Sequence, residues 1–159
     1  MTEQANIASN MQKYANYKAQ FKRLHKALDN GFNLEAIFIE YAIAEDRTES
    51  ILHHSGYWDA YVKSLKGRKV GIDSKIRYIQ KKAECKHDLL HRYFSDELLG
   101  DILLWKEERN RLIHALLKQE LVSSQNEALA MQGNELVKQL RNKSRNYNRA
   151  IDKANEVKG

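Results

Sequence analysis

The sequence predicts an all-α protein, in which four to five antiparallel helices form one bundle over residues 1–159. The chain has no proline and only seven glycines, which are too few turn-forming residues for a β-rich protein of this length. Apolar residues also recur every three to four positions in five segments, as they do on the buried face of an α-helix. A chain of this length can bury one hydrophobic core without disulfides or a structural metal.

The first two predicted helices follow from this spacing. After a flexible segment at residues 1–7, a helix is predicted from about Ser9 to Asn30. Its apolar stripe consists of Tyr14, Tyr17, Phe21, Leu24 and Leu28. The second helix is predicted to begin with Asn33 as its N-cap and to end near Gly56. Because its first half is nearly all apolar, we expect it to be the central helix of the bundle.

The remaining helices are predicted in the same way. Residues 57–71 form a connection with a short helical turn, and a third helix runs from about Asp73 to Phe94. A fourth helix runs from Ser95 to about Leu121, and a fifth starts near Ser123 or Ser124. No internal repeat or low-complexity linker interrupts the chain, which favours a single domain.

Charge is unevenly distributed along the chain, whose formal net charge is +6. Residues 29–59 hold seven acids and one base, whereas residues 61–92 hold ten bases and three acids. Residues 138–153 hold six bases and one acid. We therefore expect one acidic and two basic patches, and the basic excess favours a polyanion such as RNA as a partner.

The basic C-terminal helix, residues 138–159, carries cations three to four positions apart on one face. They are Lys138, Arg141, Arg145 and Arg149. A basic helical face is often simply solvated, and RNA phosphate binding is the alternative that its charge favours.

Cysteine usage and hydropathy indicate a cytoplasmic protein. Cys85 is the only cysteine, so the chain can form neither an internal disulfide nor a thiolate zinc site. The N-terminal segment is polar and unlike a signal peptide, and no apolar run approaches the roughly 20 residues that cross a bilayer.

His87 and His91 have metal-ligand spacing, but no further ligands follow in a recognisable pattern. We expect no metal and no other cofactor.

One arginine interrupts the apolar seam of the fourth helix. The seam consists of Leu98, Ile102, Trp105, Arg109, Leu112 and Leu116. A guanidinium does not lose its charge in a protein, and burying it unpaired costs several kcal/mol. Arg109 is therefore expected to have a partner or to line a polar cleft or an interface. Glu40, in the apolar half of the second helix, is the candidate partner, and Arg47 is the alternative cation for Glu40.

The segment Arg109-Asn110-Arg111-Leu112-Ile113-His114 resembles the Arg-x4-His motif of HEPN-type ribonucleases. It lies late in an all-α chain, and a preceding apolar helix carries an acid, as in that family. Asn110 and His114 are four residues apart and share a helix face, while the longer Arg109 side chain can reach the same phosphate. Toxin-type relatives often have a tyrosine two residues after the histidine, where this sequence has Leu116.

The resemblance implies a metal-independent endoribonuclease with a toxin or antiviral-defence role. Histidine suits proton transfer near neutral pH, so His114 is the predicted acid or base. Arg109 would stabilise charge on the phosphoryl transition state, and Asn110 would orient the histidine or the phosphate. The family arrangement implies a homodimer that brings two motifs to one phosphate, and an antitoxin protein as a further partner.

A second interpretation comes from a different functional class. The chain would be a catalytically silent helical interaction or RNA-binding module, in which Arg109, Glu40 and His114 only hold the bundle or dimer together. A nuclease requires Arg109 and His114 to be reachable from solvent, whereas a silent module does not.

Overall fold

The computed structural model describes residues 3–116, 118 and 123–157, which form seven α-helices and no strand. The helices are α1 (Glu3–Asp29), α2 (Asn33–His54), α3 (Trp58–Ser64), α4 (Ile72–Ala83), α5 (Leu89–Phe94), α6 (Leu98–Leu116) and α7 (Ser123–Glu156). The predicted all-α bundle is confirmed. None of these helices is both long and apolar enough to traverse a bilayer.

The predicted third helix is in fact two helices, α4 and α5. The backbone at Asp88 is extended, and its carboxylate accepts a hydrogen bond from the backbone N–H of Leu90 at 2.9 Å. The same carboxylate accepts a hydrogen bond from the hydroxyl of Tyr57. Asp88 is therefore an N-cap that starts a new helix, and this local interaction overrides the apolar periodicity across the break.

Predicted helix boundaries differ from those observed at the starts of α1 and α2, and one predicted helix end lies outside the described residues. Helix α1 begins at Glu3, so it includes part of the segment predicted to be flexible. Asn33 is the first residue of α2, and Phe32 occupies the N-cap position without a side-chain cap. Helix α6 is described as far as Leu116, and its predicted end at Leu121 lies outside the described residues.

Helix α2 is the central element, as its composition predicted. It contacts α1, α3, α4, α6 and α7, and α7 lies along it. One hydrophobic cluster joins residues from all seven helices around it. The buried side of α2 includes two polar residues, Glu40 and Thr48.

Helices α2, α6 and α7 meet at Gly133. A Cβ atom there would overlap the Glu40 carboxyl group and would lie 2.8 Å from Cε2 of Trp105. The Trp105 indole N–H donates a hydrogen bond to the Leu129 carbonyl oxygen at 3.0 Å, which ties α6 to α7. Glycine is therefore required where α7 crosses Glu40 and Trp105.

An ion pair joins α4 to α2. The Lys75 side chain is 1% exposed, and its Nζ atom lies 2.9 Å from Glu49 and 3.6 Å from Glu45. Both carboxylates remain partly exposed, so the lysine is buried while its partners contact solvent.

Candidate functional site

The predicted motif lies in the C-terminal half of α6. Arg109 and Asn110 are half-buried, and His114 is exposed in the last turn of the helix. At 1.5 Å of rise per residue, Arg109 and His114 are separated by about 7.5 Å along the helix axis. Both side chains are therefore reachable from solvent at the same end of α6.

The guanidinium of Arg109 stacks on two aromatic rings of α2. Its central carbon lies 4.3 Å from the ring centroid of Tyr41 and 5.3 Å from that of Phe38. Its Nη1 atom donates a hydrogen bond to Asn110 Oδ1 at 3.1 Å, and its Nε atom is buried without a partner among the described residues. Cation–π contacts of this kind contribute about 0.5–2 kcal/mol each, so aromatic rings and a neighbouring amide hold the arginine in place.

Tyr41 is an uncharged support for this cation. Burial raises the pKa of its hydroxyl above the ordinary value, so the phenol stays neutral at physiological pH. Phe38 and Tyr41 are three residues apart on α2 and share one face of the helix. That face packs beside α6 and positions the arginine.

The predicted ion pair of Glu40 with Arg109 or Arg47 is wrong. Within the described part of the chain, neither carboxylate oxygen of Glu40 has a hydrogen-bond or ion-pair partner. Arg47 instead pairs with Asp46 and lies 4.1 Å above the Tyr17 ring. At 100° per residue, Glu40 is about 200° around α2 from Phe38, so it faces α7 rather than Arg109.

Glu40 is fully buried, and its environment suppresses its charge. Desolvation raises the pKa of the carboxyl group from 4.5 to about 9. The side chain is therefore a neutral acid at pH 7, a form that costs much less to bury than a carboxylate. Its surroundings at Trp105 and Gly133 assign it to the core.

The basic face of α7 does not adjoin the motif within one chain. Lys143 pairs with Asp96, just before α6 begins, which places this part of the C-terminal half of α7 near the start of α6. Arg145 and Arg149 lie beyond Lys143 and are exposed. From Leu98 to His114, α6 is roughly 24 Å long at 1.5 Å per residue, so these arginines lie at the opposite end of the helix.

The other two cations of that face are half-buried. Lys138 is partly covered, and the Arg141 guanidinium lies 4.6 Å from the ring centroid of Phe21 in α1. Arg141 therefore helps to pack α7 against α1. Of the four predicted RNA contacts, Arg145 and Arg149 are exposed, and Lys138 and Arg141 are half-buried.

An open groove of about 1400 Å³ runs between α1 and α2. Phe38, Tyr14 and Tyr17 contribute aromatic surface to it. Tyr14 was predicted to be part of the core stripe of α1, but it is 69% exposed. Phe38 and Tyr41 were not among the predicted site residues, because the apolar run of α2 does not distinguish them from core residues.

The residues considered for metal binding are not arranged as a site. The break between α4 and α5 separates His87 from the helix that carries His91. The Nδ1 atom of His91 is 2.7 Å from the Ala83 carbonyl oxygen. Across the described ranges, no three His, Cys, Asp or Glu side chains are grouped as metal ligands would be.

Comparison with known proteins gives no match to a family model, a curated protein or a solved structure. The candidate site is therefore defined by its own geometry. It comprises Arg109, Asn110 and His114 on α6, together with Phe38 and Tyr41 on α2.

Proposed function

We propose that this chain is a HEPN-like, metal-independent endoribonuclease whose site contains Arg109, Asn110 and His114. One observation carries the proposal. No carboxylate in the described part of the chain pairs with the Arg109 guanidinium, which shares the end of α6 with an exposed imidazole. By contrast, the neighbouring Arg111 is paired with Glu108. The charge of Arg109 is thus available to an anionic ligand.

These groups suit cleavage of RNA by its own 2′-hydroxyl. The 2′-oxygen attacks phosphorus, the bond to the 5′-oxygen breaks, and the products are a 2′,3′-cyclic phosphate and a 5′-hydroxyl. Imidazole can take the proton from the 2′-hydroxyl or give one to the departing 5′-oxygen. Arg109 would stabilise the additional negative charge on the phosphoryl oxygens, while Asn110 holds the guanidinium in place.

One chain supplies one motif histidine, and the reaction uses both an acid and a base. The proposal therefore includes a two-fold homodimer, with α6 near its axis and two copies of His114 beside one phosphate. A toxin or antiviral-defence role, an antitoxin partner and a cytoplasmic location belong to the same proposal.

The alternative is a catalytically silent RNA-binding or protein-interaction module. The separation between the motif and the exposed arginines of α7 favours it, because one chain does not gather them into a single RNA-cleaving surface. Aromatic stacking of Arg109 is also a sufficient structural role for that residue.

The test compares wild-type protein with His114→Ala on single-stranded RNA in the presence of EDTA. We expect the wild type to release 2′,3′-cyclic phosphate ends and His114→Ala to lose cleavage with an unchanged circular dichroism spectrum. His87→Ala is the matched control, because His87 is also exposed but lies far along the chain from the motif. Equal cleavage by wild type and His114→Ala, or a requirement for magnesium, would leave the silent module as the better account.

A further inference from the structure

Phe38 is half-exposed within an otherwise buried apolar segment. Phe38 is 50% exposed as a residue, whereas the adjacent Ile37 and Ile39 are 1% and 7% exposed. The ring borders the Arg109 guanidinium at 5.3 Å and also lines the groove between α1 and α2. An aromatic surface of this kind lies open beside a cation with no carboxylate partner among the described residues.

The groove beside Phe38 is lined by equal numbers of basic and acidic side chains. Its lining includes three bases, Lys13, Arg23 and Arg47, and three acids, Glu35, Asp46 and Glu49. Arg23 pairs with Glu35 at 2.7 Å, and Arg47 pairs with Asp46. Such a surface has no net charge to attract a phosphate, and its aromatic side chains offer contact area to an uncharged planar group. Its volume of about 1400 Å³ exceeds the roughly 300–1,000 Å³ of ordinary small-molecule pockets.

We infer that Phe38 is a stacking platform for an unpaired nucleobase, and that the phosphate next to that base binds Arg109. The inference rests on the proposed function in taking RNA as the ligand. The 5.3 Å between the guanidinium carbon and the Phe38 centroid places the cation directly beside the ring, so the phosphate of a nucleotide whose base contacts Phe38 lies on the side of Arg109. Only an unpaired base has a free face for such stacking, so the substrate class is single-stranded RNA.

Stacking on one ring does not read the edges of a base. The subsite therefore tolerates all four bases and selects for strand state instead of sequence. Base-paired RNA, whose faces are covered by neighbouring pairs, is excluded from the groove.

The test measures RNA binding by fluorescence anisotropy in the His114→Ala background, which keeps the RNA intact. The probes are a short single-stranded RNA and the same RNA with abasic positions. Phe38→Ala should weaken binding of the intact RNA about tenfold, as expected for loss of one stacked base, and Phe38→Trp should restore it. Phe32→Ala is the matched control, since Phe32 is 59% exposed but does not line the groove.

The abasic RNA separates stacking from an indirect effect on Arg109. We expect the protein with Phe38 and its Phe38→Ala variant to bind abasic RNA equally. Equal weakening for intact and abasic RNA would mean that Phe38 only positions the arginine, and would overturn the inference. Unchanged binding of intact RNA by Phe38→Ala, or no RNA binding by any variant, would overturn it as well.

The stacking subsite and the nuclease can fail separately. If wild type cleaves RNA but Phe38→Ala binds intact RNA normally, the nuclease stands and the subsite is rejected. If Phe38→Ala selectively loses intact RNA but wild type cleaves nothing, the subsite stands on an RNA-binding module.

Discussion

The two interfaces of α2 with α4 and α7 each bury one ionisable side chain, and they do so differently. At the α4 interface, Lys75 is paired with Glu45 and Glu49. At the α7 interface, Glu40 has no partner among the described residues and is neutral at pH 7, because burial raises its pKa to about 9. A buried charge thus persists where partly solvated partners face it, and is lost where apolar groups surround it.

The largest loss of stability is expected for a substitution at Gly133, where α7 crosses Glu40. Gly133→Ala would place a methyl group against Glu40 and Trp105, both of which are buried. We expect a loss of about 3 kcal/mol or more in the free energy of unfolding, measured by urea denaturation. The control is Gly100→Ala in α6, whose new Cβ would meet only Gln80 Nε2 at 4.0 Å. Equal effects at the two glycines would contradict the close approach.

The next largest effect is a dependence of folding stability on pH, which arises from the ionisation of Glu40. Its pKa is higher in the folded protein than the ordinary 4.5, so the folded state holds a proton that the unfolded state has released. Stability is therefore unaffected by this group at pH values below 4.5 and falls as the pH rises towards about 9. At pH 7 the free energy of unfolding is therefore lower by roughly 3 kcal/mol than it is below pH 4.5, at 1.36 kcal/mol per pH unit.

Glu40→Gln isolates this effect because it keeps the shape and cannot ionise. Its stability relative to wild type should grow by roughly 1.4 kcal/mol for each unit between pH 5 and pH 8. Urea unfolding of both proteins across that range measures the difference, in which the other titrating groups largely cancel. A difference independent of pH would show that Glu40 is ionised in the folded protein.

A smaller effect is expected at Arg109. Because no described carboxylate pairs with it, Arg109→Ala removes aromatic contacts without leaving a buried acid unpaired. We expect a loss of about 1–2 kcal/mol in stability, from the contacts with Phe38 and Tyr41. Thermal unfolding measures it, and a loss near 4 kcal/mol would instead indicate a broken buried ion pair.

The smallest effect is expected at Lys75. Lys75→Met keeps the buried hydrocarbon length and removes the charge, while Glu45 and Glu49 can be hydrated because they are 39% and 45% exposed. We expect a change within about 1 kcal/mol in either direction. A loss of several kcal/mol in urea unfolding would show that the ion pair itself holds α4 in place.

Most of the helical segments could be predicted from the sequence, because the spacing of apolar residues reflects which face each helix buries. The break before α5 was not, because it depends on one capping carboxylate, Asp88, within an uninterrupted periodic pattern. The sequence also marked Glu40 and Arg109 as polar residues in apolar stripes. Whether these two residues pair could not be predicted from the sequence, since it depends on which faces of α2 and α6 meet.

The candidate site shows a similar limit. Arg109 was selected because it interrupts an apolar seam, and Asn110 and His114 were selected by the resemblance to the HEPN motif; their ribonuclease role remains a prediction. Phe38 was indistinguishable from core residues in an apolar run, and only the structure places it at the surface. The distance between the motif and the basic end of α7 depends on how the two helices align, which composition does not encode.

That distance sets the footprint of a base-stacked RNA strand. The exposed Arg145 and Arg149 lie near the start of α6, while His114 lies roughly 24 Å away along the same helix. At the roughly 3.4 Å rise per nucleotide of a stacked strand, one RNA contacting both ends of a single chain spans about seven nucleotides. Dependence of binding on oligonucleotide length should therefore have a threshold, with shorter RNAs engaging one end of the bundle and longer ones engaging both.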